Sequence, residues 1–79
     1  MLGLSREDFS RQLTNLLSGA GYRPAYIEVM RSAVCVWFWV GATAIQISRD
    51  VLFDLSDMRE LATEIAFEAQ RLGVTATRY

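Results

Sequence analysis

Residues 33–40 read Ala-Val-Cys-Val-Trp-Phe-Trp-Val, eight consecutive residues without a polar side chain. A strand that faces a core on one side and water on the other alternates between apolar and polar residues. This strand is apolar on both faces, so something must cover its second face. The chain has only 79 residues and lies near the lower size limit for a self-sufficient core. A protein partner is therefore a candidate for that cover.

One amphipathic helix is expected before this strand in the chain and another after it. Ser5 is placed to cap the first, which should run from about Arg6 to Ser18 before Gly19 and Gly21 end it. Ser56 is the expected cap of the second helix, and Gly73 ends it. The apolar stripe of the second helix consists of Met58, Leu61, Ala62, Ile65, Ala69 and Leu72.

Between the helices the apolar period changes to two, which predicts strands. Residues 26–31 fit a strand, with a short helical turn as the alternative, and residues 34–40 form the central strand. Gly41-Ala42 fits a two-residue type II′ turn into a returning strand over residues 43–48. Arg49-Asp50 is then expected to turn into a short segment at 51–53, and the tail at 74–79 is either an edge strand or frayed.

The elements predict a single α+β domain over residues 1–79. The order is α-β-β-β-α, with a small antiparallel three-stranded sheet flanked by the N- and C-terminal helices. Each amphipathic helix needs an apolar surface to bury its stripe, and one face of the sheet offers that surface. Both helices are therefore expected on the same face.

The hairpin register decides which residues share a face, because directly opposed residues point to the same side. A loop at Gly41-Ala42 pairs Val40 with Thr43 and Phe38 with Ile45. The face expected to bind the helices then carries Val34, Val36, Phe38, Val40, Ile45 and Ile47. The other face carries Cys35, Trp37, Trp39, Ala44, Gln46 and Ser48.

This second face has the composition of a protein interface, in which aromatic residues and Met are enriched beside polar groups. Its candidate interface residues are Tyr26, Met30, Cys35, Trp37 and Trp39. Phe67, opposite the stripe of the second helix, is a further candidate, although single exposed apolar residues are common. We expect a homodimer or docking on a larger protein. The alternative is internal cover by the C-terminal tail or by the segment around residues 51–53.

The composition argues against several other classes of function. The chain has no His, a single Cys and no motif for a nucleophile, phosphate or metal site, so we expect no enzyme activity, cofactor or metal. A net charge of −1 leaves no basic footprint for a nucleic-acid backbone, which argues against direct nucleic-acid binding. The N-terminus lacks a secretory signal and the lone Cys suggests a reducing compartment, which predicts a cytoplasmic protein. A membrane span over residues 32–48 is a weaker hypothesis, because Trp37 and Trp39 would lie at its centre.

An acidic ridge on the second helix supports an alternative function. Its members Asp57, Glu60, Glu64 and Glu68 recur at helical spacing. The chain is similar in size and charge to phage or mobile-element inhibitors such as anti-CRISPR proteins, although no motif carries the likeness. The resemblance implies that the ridge blocks a basic surface of a nucleic-acid-handling complex. A run of charges is also what an ordinary solvated helix face shows.

Overall fold

The structure, a computed structural model, describes residues 5–51 and 58–76. Its elements, in chain order, are α1 (Arg6–Gly19), β1 (Tyr26–Val29), β2 (Ala33–Val40), β3 (Thr43–Asp50) and α2 (Met58–Arg71). The three strands form one antiparallel sheet in the order β1-β2-β3. The predicted α+β fold with α-β-β-β-α order is confirmed, and residues 26–29 form a strand rather than a helical turn.

The ends of α1 follow from its flanking residues. The Ser5 hydroxyl accepts a hydrogen bond from the Asp8 backbone N–H at 3.1 Å, which satisfies one of the free donors of the first turn. At the other end Gly21 has φ of 94°, and the Tyr22 N–H reaches back to the Leu17 carbonyl at 2.8 Å. This left-handed glycine turns the chain away from the helix axis toward β1.

The predicted hairpin register is confirmed throughout. Val40 lies opposite Thr43, Phe38 opposite Ile45, and Val36 opposite Ile47. Gly41 has φ of 62° while Ala42 is not in the positive-φ region, as the first and second central residues of a type II′ turn require. A one-residue slip would exchange the two faces of β2, so this turn determines which side chains meet the helices.

The core lies between the sheet and the two helices, which both pack on its inner face. α1 contributes Phe9, Leu13 and Leu17, whereas α2 contributes residues of the predicted stripe. The largest fully buried side chains of the described residues are Phe38, Leu13, Leu17, Ile65, Val34 and Val36. Leu72, the last residue of the predicted stripe, is exposed because it follows the end of α2 at Arg71.

Two details of the connections differ from the sequence-based expectation. Arg49 and Asp50 do not form a turn: they continue β3, because Val34 and Ala33 of β2 supply ladder partners for them. Val51 then donates its N–H to the Ser32 carbonyl at 2.9 Å. In the tail, residues 74–76 form no strand, and Val74 packs against the core instead. The predicted cap Ser56, the segment at 52–53 and residues 77–79 lie outside the described residues.

The stretch from residue 32 to residue 48 builds β2, its turn and most of β3, not a helix. Across the described ranges, 5–51 and 58–76, neither helix has the length and apolar content needed to cross a bilayer.

Candidate protein-interaction surface

Three aromatic side chains gather on the outer face of the sheet, at the end near the β2–β3 turn. Tyr26 lies opposite Trp37 in the β1–β2 ladder, and their ring centroids are 5.4 Å apart with the planes tilted by 45°. Trp39 follows two residues later on the same face. Tyr26 and Trp39 are each 60% exposed, whereas Trp37 is half-buried. We call Tyr26, Trp37 and Trp39 the aromatic face.

Met30 lies on the same side of the sheet but at the end away from Trp39. It follows β1, donates its N–H to the Ala33 carbonyl at 2.8 Å and is 41% exposed. Residue 33 is six positions from Trp39 along β2, which corresponds to about 20 Å at roughly 3.3 Å per residue. Glu28 and Cys35, which are paired across the ladder, lie between the two ends. Met30 and Trp39 therefore lie at opposite ends of the outer face and are not neighbours.

Cys35 lies on the outer face, as the register predicts, but is only 5% exposed. It occupies the central strand, with Glu28 beside it on β1 and Ser48 on β3. Its Sγ is 3.3 Å from the Ser48 hydroxyl, so the thiol has a polar partner. Because so little of its side chain is exposed, Cys35 would contribute little to a contact through this face.

Phe67 is the most exposed large apolar side chain in the described part of the chain, at 69%. It lies on α2, so the sheet separates it from the aromatic face. It borders an open groove between α1 and α2 with a volume of about 420 Å³. The sequence pattern identified Phe67, but the groove could not be read from it, because Leu16 and Tyr22 reach it from the other end of the chain.

The acidic ridge is partly neutralised. Arg49 approaches it from β3, with Nε 3.7 Å from Glu64 and a terminal nitrogen 3.6 Å from Glu68. Arg71 pairs with Glu68 within α2. Glu60 and Glu64 remain exposed, whereas Asp57 lies outside the described residues. Arg49 was not identified from the sequence, because a residue expected in a turn gave no reason to place it beside α2.

Glu68 is the carboxylate of the ridge that both Arg49 and Arg71 contact. A hydrogen bond from Arg71 lowers the pKa of Glu68, and the charges of Arg71 and Arg49 lower it further. These contacts therefore favour the charged form of the Glu68 carboxylate.

Residues 5–51 and 58–76 include no group of three or more Cys, Asp or Glu side chains arranged to hold a metal ion. No family model, curated protein or solved structure matches the chain, so its function is inferred from its own geometry.

Proposed function

We propose that this chain is a non-enzymatic protein-interaction module that forms a homodimer through the aromatic face. The observation that carries the proposal is the 60% exposure of both Tyr26 and Trp39 on one uncharged part of the sheet. Water-exposed aromatic rings on a folded domain represent apolar area that association can remove from water.

The available area suits a modest interface. A buried aromatic residue covers about 150–250 Å², so the exposed parts of Tyr26 and Trp39 supply roughly 200–300 Å² per copy. A typical specific interface buries about 800 Å² per partner, and the weakest ones less than about 600 Å². The remaining area would come from exposed polar neighbours such as Gln46 and Ser48, which gives the mixed composition of non-obligate interfaces.

The distribution of charge favours a second copy as the occupant. The aromatic end of the outer face carries no charged residue in the paired strands, whereas Glu28 and Asp50 lie toward the other end. A two-fold axis through the aromatic end brings apolar surface against the same surface of the other copy. The like-charged carboxylates then lie away from the axis, where water screens them.

The alternative function, an inhibitor that presents the acidic ridge to a basic surface, receives less support. The contacts of Arg49 and Arg71 with Glu64 and Glu68 reduce the negative charge that the ridge offers a partner. Tyr26 and Trp39 of the aromatic face are instead each 60% exposed, so we favour that face.

Tryptophan fluorescence tests the proposal locally, because both Trp residues of the chain lie on the aromatic face. In the wild type, raising the protein concentration should shift the emission to shorter wavelength and reduce quenching by acrylamide. Sedimentation should show a mass above the monomer. Trp39→Glu should weaken association through this face by roughly thirty-fold or more, since hot-spot loss costs at least about 2 kcal/mol. The emission of Trp37 should then no longer depend on concentration.

Thr43→Glu is the matched control. Thr43 is exposed at the same end of the hairpin but belongs to the other face, so its charge should leave the fluorescence change intact. Circular dichroism would show that both variants remain folded. A wild type that stays monomeric at high concentration would refute the homodimer. Equal behaviour of the two variants would refute the role of the aromatic face.

A further inference from the structure

The groove between α1 and α2 is a second apolar surface, on the side of the molecule opposite the aromatic face. Its apolar lining comes from both helices and from the loop after α1: Leu16, Ala20, Tyr22, Ala62, Ala66 and Phe67. An apolar cavity of about 150 Å³ is enough to hold a benzene ring. The groove, at about 420 Å³, therefore has room for a large aromatic side chain.

Phe67 borders this groove without filling it. It is 69% exposed and projects from α2 on the side away from the core. The same surface thus carries both a protruding aromatic side chain and an apolar groove large enough to hold such a side chain. A contact in which each partner inserts the same residue into the same pocket of the other is the pattern of an isologous, two-fold interface.

The residues beside Phe67 permit two copies of α2 to approach closely. Ala62 and Ala66 lie on the groove side of α2. Ala66 is half-buried and its short side chain lets a second helix approach, whereas Ala62 is only 6% exposed and lines the groove. The groove lining contains no carboxylate and one charged side chain, Arg59. Glu64 and Glu68 lie on the other flank of α2, where Arg49 contacts them. An α2–α2 contact on the groove side therefore avoids most like-charge repulsion.

The charges at the two ends of α2 favour an antiparallel arrangement. The described part of α2 has Glu60 in its first turn and Arg71 in its last turn. In an antiparallel pair, residues at equal distances from the two-fold axis lie opposite each other. An axis between residues 65 and 66 therefore places Glu60 of each copy near Arg71 of the other, whose guanidinium, already paired with Glu68 of its own chain, would bridge the two carboxylates. The antiparallel arrangement also opposes the two helix dipoles favourably.

We infer that α2 pairs antiparallel with α2 of a second copy and that each Phe67 inserts into the interhelical groove of the other copy. This contact is independent of the aromatic face, because the sheet and the helix layer lie between the two surfaces. One chain can use both at once. The wild type should therefore form assemblies larger than a dimer as its concentration rises.

Disulfide trapping tests the helix contact directly. In a Cys35→Ala background, Ala66→Cys introduces a thiol near the proposed two-fold axis, where close packing of α2 brings the two copies within disulfide reach. Mild oxidation should yield a covalent dimer on a non-reducing gel. Adding Phe67→Glu should abolish the cross-link, whereas adding Trp39→Glu should leave it. Glu64→Cys, on the other flank of α2, is the matched control and should not cross-link.

Sedimentation separates the two surfaces. Phe67→Glu and Trp39→Glu should each reduce the assembly to a dimer, and the double variant should be a monomer. Both positions are exposed, and circular dichroism would verify the fold. Absence of the Ala66→Cys cross-link, or its persistence with Phe67→Glu, would overturn the helix contact. So would a monomeric Trp39→Glu variant, since it would show that the groove holds no second copy. None of these three results would contradict the aromatic-face dimer, which fluorescence reports separately.

Discussion

The two faces of β2 are made from one run of apolar residues, yet their surroundings differ most sharply near the turn. Phe38 is fully buried beneath the helices, while Trp39, its neighbour in the chain, is 60% exposed. Both side chains are aromatic and both belong to regular β-structure. The difference shows that hydrophobicity alone does not determine burial: the two helices cover only one face of the sheet, and Trp39 on the other face stays exposed.

The largest expected effect comes from truncating the two aromatic residues in turn. Phe38→Ala should lower the free energy of unfolding by about 3–5 kcal/mol, because it removes a fully buried ring and leaves a cavity. Trp39→Ala should change it by no more than about 0.5 kcal/mol when measured below the association concentration. Urea denaturation at micromolar protein concentration provides the measurement.

Phe38→Leu is a milder variant for the case in which Phe38→Ala does not fold. It should lower the free energy of unfolding by between about 0.5 and 3 kcal/mol. If Trp39→Ala destabilises the dilute monomer as strongly as Phe38→Ala, then Trp39 is packed within the chain. The comparison between the two faces, and with it the proposed interface, would then fail.

A smaller effect on stability is expected from a substitution in the Gly41-Ala42 turn, which determines the face on which each residue of the hairpin lies. Gly41→Ala places a side chain at φ of 62° and should cost about 1–3 kcal/mol. Gly19→Ala is the matched control, because Gly19 is helical and a Cβ there meets nothing within 4 Å. It should be neutral or stabilising by up to about 1 kcal/mol. Thermal unfolding of both variants measures the contrast, and equal effects would show that Gly41 does not constrain the hairpin.

The smallest effect on stability is expected from removing the ion pair between Arg71 and Glu68 on α2. Arg71→Ala should raise the pKa of Glu68 toward its ordinary value, because the hydrogen bond from Arg71 is the main cause of the lowering. A carboxylate with a lowered folded-state pKa stabilises the fold above the unfolded pKa, and that contribution is lost as the pH falls through the folded pKa. The variant should therefore show a weaker loss of stability on acidification.

Carboxyl NMR titration of Glu68 provides the measurement, with Arg11→Ala as a control that removes a different exposed ion pair, to Asp8. Water screens the Glu68 pair, so the change in stability near neutral pH should be slight. An unchanged Glu68 titration in Arg71→Ala would contradict the assigned cause.

The fold could be predicted from local signals because each of them acts within a few residues. The Ser5 cap, the helical spacing of apolar residues and the Gly41-Ala42 turn specify their own elements without reference to the rest of the chain. The turn also determined the β2–β3 register, because every pairing follows from its position. The predicted end of β3 at Ser48 was wrong because it depends on a distant segment. Arg49 and Asp50 are strand residues because β2 supplies their partners.

The candidate site was predictable in part. The alternation that follows from the turn placed Trp37 and Trp39 on one face, and Tyr26 was added to it on the expectation that Ile27 and Val29 point inward. It gave no information on the distance between Met30 and Trp39. Nor did it show that Cys35 is buried between its neighbours on β1 and β3. These depend on cross-strand packing, which a pattern along one strand does not record.

The sequence by itself determined the order of the elements, the hairpin register and the two sets of side chains on β2. Each follows from backbone geometry with a short period: two residues for a strand and 3.6 for a helix. Only the tertiary structure decided that Arg49 neutralises part of the acidic ridge and that α1 and α2 leave a groove beside Phe67. Both features join residues that are distant along the chain, and their positions depend on how the helices lie across the sheet.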